Sequence, residues 1–160
     1  GHIIQTVQRT DTDNGTSDVS SYSNTLFDNL NTSITPGFSS SKILVMVNVS
    51  LGHQDNDTGH VRLVRDPTGT PVALAVGPAD GSAPSATFSI RNSSVHAMTH
   101  QTICYLDSPA TTSAVTYGLQ GYTSGGQAGV FGYNQPENTS TSDTNMGRHM
   151  SIITLMEVAQ

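Results

Sequence analysis

The chain has 160 residues, enough for one domain that buries roughly 68–70% of the surface its unfolded form exposes. Charged residues are only 11% of it, against a usual ~25%; 20 Ser, 21 Thr and 10 Asn take their place, and the net charge is −6. With one Lys and five Arg, the chain lacks the basic footprint that nucleic acid or an anionic membrane surface requires, and no apolar run reaches the ~18–20 residues that span a bilayer.

The punctuation predicts an all-β domain. Fifteen Gly and seven Pro separate short runs rich in Val, Ile, Thr and Tyr. The first strand is expected at Ile3–Gln8, followed by a polar loop over Thr10–Ser21. Tyr22–Leu30 alternates only partly, and Pro36-Gly37 marks a turn. Lys42–Leu51 is the strongest strand signal. His60–Arg65 follows a loop, and Asp66-Pro67-Thr68-Gly69 turns the chain again. Pro71–Val76, Ala86–Ile90, Thr99–Asp107, Ala114–Tyr122, Gly129–Tyr133 and Ser151–Val158 complete about ten short strands. Their spacing is that of an antiparallel sandwich or barrel.

Two strands break the expected alternation. Ile43-Leu44-Val45-Met46-Val47 is apolar throughout, and Ile152-Ile153-Thr154-Leu155-Met156 nearly so. A strand apolar on both faces needs cover on both. The sandwich core supplies one cover. The other is either a second copy of the chain or a long loop of the same chain, and a closed homo-oligomer is the expectation. Ile43, Val45, Val47, Ile152 and Leu155 are the residues on which core and interface are expected to rest.

Catalytic constellations are sparse. Of two Glu, Glu157 sits in the last strand and Glu137 in a loop, so no acid/base pair for glycoside hydrolysis stands out. There is no Gly-x-Ser-x-Gly elbow and no Gly-rich phosphate loop. Cys104 is the single cysteine; it lies in an apolar strand, where a thiol packs as a small inert hydrophobe. No enzyme activity and no cofactor are expected. His53, Asp55, Asp57 and His60 cluster in one loop and are the candidate ligands for a divalent metal. His96 and His100, four apart, would share one face of a strand. Asp11-Thr12-Asp13-Asn14-Gly15 resembles the start of a calcium loop but lacks its later bidentate Glu. Exposed aromatics beside flexible polar residues suit adaptable recognition, which makes Tyr122, Gln127 and Tyr133, around Ser124-Gly125-Gly126, the candidate receptor contacts. Arg62 and Arg65 fall on opposite faces of a regular strand, and Asp107 is expected to pin a corner through backbone N–H groups.

Several phrases occur together: Ile3-Ile4-Gln5-Thr6-Val7-Gln8, Leu30-Asn31-Thr32-Ser33-Ile34-Thr35-Pro36, Ser39-Ser40-Ser41-Lys42-Ile43-Leu44-Val45, Arg62-Leu63-Val64-Arg65, Tyr105-Leu106-Asp107-Ser108-Pro109 and Ser151-Ile152-Ile153-Thr154-Leu155-Met156-Glu157-Val158. With them the chain resembles, over nearly its whole length, the C-terminal head domain of bacteriophage virion appendages: tail-fibre and capsid-fibre tips, many of them marine and cyanophage-like. Its strand rhythm also resembles the tumour necrosis factor-like jelly roll, which is trimeric. The resemblance implies a β-sandwich head on a virion fibre, part of a longer protein, outside the cell. It implies a homotrimer that meets other virion proteins and adheres to a host-surface glycan or outer-membrane protein. A capsid-decoration or connector domain is the first alternative and a polysaccharide depolymerase the second.

Overall fold

A computed structural model of the chain describes residues 1–53, 58–124 and 130–160. Among these, eleven antiparallel strands form two sheets packed face to face, a β-sandwich. In chain order the strands are β1 (Ile3–Asp11), β2 (Gly15–Asp18), β3 (Thr32–Ile34), β4 (Lys42–His53), β5 (Thr58–Arg65), β6 (Val72–Leu74), β7 (Phe88–Ile90), β8 (Thr99–Asp107), β9 (Val115–Ser124), β10 (Val130–Tyr133) and β11 (Ser151–Val158). A short 3-10 helix, Thr25–Leu30, plugs Phe27 and Leu30 into the core.

The first sheet runs β1-β11-β4-β10-β2, with β8 on the other side of β4. The second runs β3-β9-β5-β6, with β7 also paired to β5. Chain-distant strands pair in a nested way: β1 with β11, β3 with β9, β4 with β8. This is the folded-hairpin order of a jelly roll.

The double-faced strands resolve into strict alternation. Ile43, Val45, Val47 and Leu155 are fully buried between the sheets. Burying a side chain of this kind contributes roughly 1.5–3 kcal/mol. Ile152 points the other way and is half-buried, as are Leu44, Met46 and Met156. Strand pairing sets Met156 beside Leu44 and Leu44 beside Leu106, then Thr154 beside Met46 and Met46 beside Cys104. The outer face of the first sheet therefore carries an apolar patch, with Leu106 45% exposed, bordered by Lys42, Asn48, Thr102, Gln8 and Thr154. Of the five expected residues, four belong to the core and only Ile152 to this face. Cys104 also lies on it, exposed rather than packed inside, because Ile103 takes the inward position of β8.

Each end of the core is closed by a tyrosine–aspartate pair. At one pole Tyr117 Oη donates to Asp107 Oδ2 (2.8 Å), which also accepts Arg65 Nη1 at 2.8 Å. Asp107 thus pins its corner through side chains of the opposite sheet, not through backbone N–H groups. At the other pole Tyr133 Oη donates to Asp11 Oδ2 (2.8 Å). Burial first, and then the hydrogen bond to each carboxylate, pushes both phenols well above their ordinary range. Glu157, fully buried in β11, accepts Gln5 Nε2 (2.6 Å) and the Gly37 N–H (2.8 Å). Burial raises its pKa, but these and neighbouring hydrogen bonds outweigh it and hold the carboxyl below its usual value.

Glycine matters at one close approach. A Cβ on Gly59 would stand 2.5 Å from the Phe131 ring and 2.6 Å from His53 Cδ2. Phe131 can seal the core there only because that side chain is missing.

Candidate functional site

Part of the outer face of the second sheet is polar and aromatic, for a reason local to β5 and β9. Val61, Leu63 and Leu119 point inward and are fully buried. Their neighbours His60, Arg62, Gln120 and Tyr122 must then point outward. The register sets His60 opposite Tyr122 and Arg62 opposite Gln120. On the far side of β5, Ser89 of β7 stands opposite His60.

Tyr22 joins this row from the segment between β2 and the 3-10 helix. Reciprocal 2.9 Å backbone bonds between Ser23 and Gly121 hold that segment against β9. The Tyr22 hydroxyl donates to the Ser85 carbonyl. Its ring centroid is 5.4 Å from that of Tyr122 and tilted by 48°. Tyr122 in turn stacks with His60 at 5.7 Å and 20°. Arg62 Cζ lies 3.9 Å from the centre of the Tyr22 ring, within the range of a cation–π contact. Arg62 Nε and Nη2 donate to Gln120 Oε1 at 2.9 and 2.7 Å. His60 Nδ1 is 2.8 Å from Ser89 Oγ.

Burial lowers the Arg62 pKa and the Tyr22 ring partly restores it. Burial raises the Tyr22 phenol, which Arg62 opposes. Both shifts leave a cation against a neutral phenol at neutral pH. A guanidinium has five N–H donors. Gln120 takes two of them, and the other three have no partner among the described residues. The outcome is a fixed platform of two tyrosines and an imidazole beside an oriented guanidinium. Ring faces of this kind suit the C–H face of a sugar, and fixed N–H donors suit its hydroxyl or carboxylate oxygens.

The structure separates the other residues singled out in the sequence. Tyr122 lies in the platform. Tyr133 does not: it is 2% exposed, its hydroxyl is committed to Asp11, and its ring packs edge-on against Phe27. Phe131 and Tyr133, two apart on β10, share the inward face and are both buried, while Gln135 and Pro136 pack over Gly132 on the opposite side. Gln127 lies outside the described residues, as do Asp55 and Asp57. His53 and His60 do not converge on a metal. His53 is buried between the sheets against Phe131, centroids 5.0 Å apart, while His60 is on the outer face of the other sheet. His96 lies in the loop before β8, where Nε2 meets Asp143 Oδ2 at 3.3 Å, so it shares no strand face with His100. Asp11 has no free calcium-loop geometry: Oδ1 accepts the Asp13 N–H and Oδ2 accepts Tyr133. Among the described residues, no group of three or more His, Cys, Asp or Glu gathers to hold a metal ion.

Sequence reasoning missed Tyr22 and Gln120, and it placed Arg62 only by strand parity. An aromatic residue inside the polar stretch Ser20-Ser21-Tyr22-Ser23-Asn24 was the available signal. No protein-family model matches the chain, and no curated protein sequence matches it.

Proposed function

We propose that this chain is a non-enzymatic adhesion module, the head domain of a virion fibre, that binds a host-surface glycan through the Tyr22–Tyr122–His60–Arg62 platform. The observation that carries this reading is the platform itself: a cation fixed over one ring of an aromatic row, on a sheet face otherwise free to be polar. Self-association into a trimer uses the opposite side of the sandwich, where Leu44, Met46, Leu106 and Met156 form an apolar patch. Several copies joined there convert weak single sites into useful avidity.

A structural role as a connector or capsid-decoration domain is the second reading. It is favoured by the pole where β1 begins and β11 ends. Ile3 is 56% exposed and Phe38 59% exposed there, which suits docking on another virion protein. Glycan-array and whole-cell binding separate the readings. Adhesion requires binding by the intact domain that falls in Arg62→Ala and Tyr122→Ala. Equal binding by those variants, or none by the wild type, would remove the platform as a receptor site.

A further inference from the structure

The outer face of the first sheet ends, at the pole opposite the chain termini, in a pair of histidines. His100 lies on β8 with Ser50 of β4 as its register partner. Its Nδ1 is 2.8 Å from Ser50 Oγ. Its Nε2 is 3.0 Å from Nδ1 of His149, which comes from the segment just before β11. The two rings are only 22° from parallel, with centroids 4.8 Å apart. The rings are therefore stacked with an offset that brings one nitrogen of each to hydrogen-bonding distance of the other.

The frame holds the main chain of His149 and the ring of His100. The His149 N–H donates to the Asn134 carbonyl at 2.8 Å. Asn134 is fully buried in a left-handed conformation, φ 55°. Its side chain accepts Ser151 Oγ at 2.7 Å and donates to the Asp11 and Asp13 carbonyls at 3.1 and 2.8 Å. The hydroxyl of Ser50, which is 1% exposed, pairs with the other nitrogen of His100. An outer partner of that kind orients the ring of a metal-ligating histidine.

We propose that His100 Nε2 and His149 Nδ1 chelate one divalent transition-metal ion of the zinc class. Imidazole nitrogens suit zinc, copper and nickel. Zinc–nitrogen bonds of about 2.0–2.1 Å at a tetrahedral angle put two ligand nitrogens about 3.3 Å apart. The observed 3.0 Å needs only a few tenths of an ångström of opening. Binding needs both rings neutral, with the protons on His100 Nδ1 and His149 Nε2, so the proton held between the two facing nitrogens moves, through solvent, to His149 Nε2. His100 is exposed and His149 partly so, which leaves water access to the remaining coordination positions. Because the ligands come from β8 and from the segment preceding β11, the bound ion ties that segment to the sheet. This site is independent of the platform on the second sheet.

Zinc chloride titrated into the chelator-treated full chain tests the proposal by calorimetry and by imidazole 15N resonances. The expected result is saturable binding of about one equivalent, with the resonances of His100 Nε2 and His149 Nδ1 shifting together. His100→Ala and His149→Ala should each weaken binding by about tenfold or more. His2→Ala, at the chain start, should leave this binding unchanged. No saturable binding up to millimolar zinc would overturn the proposal. So would binding undiminished in both variants, or resonance shifts confined to other histidines. The wild-type resonances decide the matter even where a variant disturbs the loop.

Discussion

The two outer faces of the sandwich are built on the same strand geometry and differ in almost every side chain. On the first sheet, β4, β8 and β11 send out Leu44, Met46, Cys104, Leu106, Ile152 and Met156. On the second, β5 and β9 send out His60, Arg62, Gln120 and Tyr122, and Tyr22 folds over them. An apolar face gains by excluding water, whatever its partner. A polar aromatic face, with its donors already oriented, gains from a ligand that supplies matching acceptors and a flat C–H surface. Under the proposed function this contrast divides labour, with association between copies on one side and recognition on the other.

The sharpest break in this comparison lies between neighbours on one strand. Leu155→Ala removes a fully buried side chain and should cost about 2–5 kcal/mol in chemical denaturation. Met156→Ala, one residue on, should cost the isolated fold less than about 1 kcal/mol, yet weaken self-association. Equal losses of stability would mean that the first sheet has no free outer face. A charge on that face is a sharper probe. Met46→Glu should leave the fold intact and convert trimer to monomer, reducing the light-scattering mass to about one third. Wild type already monomeric at micromolar concentration would sink the trimer.

The interior between the faces has its own pH signature. Tyr117 and Tyr133 have folded pKa values raised above the ordinary 10.0. The stability they contribute is fully present below pH 10. Above that, the unfolded chain ionises first and stability falls, by up to about 1.4 kcal/mol per pH unit for each tyrosine. Tyr117→Phe should lower stability at neutral pH, because Asp107 loses a donor, and should flatten the alkaline loss. An unchanged alkaline slope would show that Tyr117 titrates normally.

The smallest effect is on the second face. Arg62→Ala should weaken glycan binding by about tenfold, equivalent to 1.4 kcal/mol, while changing unfolding free energy by no more than about 1 kcal/mol. A loss of binding matched by a loss of fold would assign Arg62 to structure instead.

Much of the fold was legible because burial imposes a period of two. Thr99–Asp107 and Ser151–Val158 coincide with β8 and β11, and Lys42–Leu51 falls short of β4 by two residues. The short strands were not legible. Gly15–Asp18 and Thr32–Ile34 carry little apolar pattern; they become strands because β10 and β9 present open edges to them. Thr25–Leu30 showed partial alternation but coils as a 3-10 helix, since both Phe27 and Leu30 then reach the core. The site was legible in one residue, Tyr122. Tyr133 looked equivalent in sequence, and only pairing with β2 and β4 buried it.

By itself the sequence determined an all-β chain with little charge and two strands too apolar for a single wet face. Those properties are local: residue type, spacing and turn chemistry settle them before any strand finds its partner. Tertiary structure decided which alternate residues turned inward, that Asp107 and Asp11 would each meet a tyrosine, and that Tyr22 would lie over Arg62. A one-residue change of register exchanges the faces of a strand, so partners distant in sequence had to be chosen before any of these contacts existed.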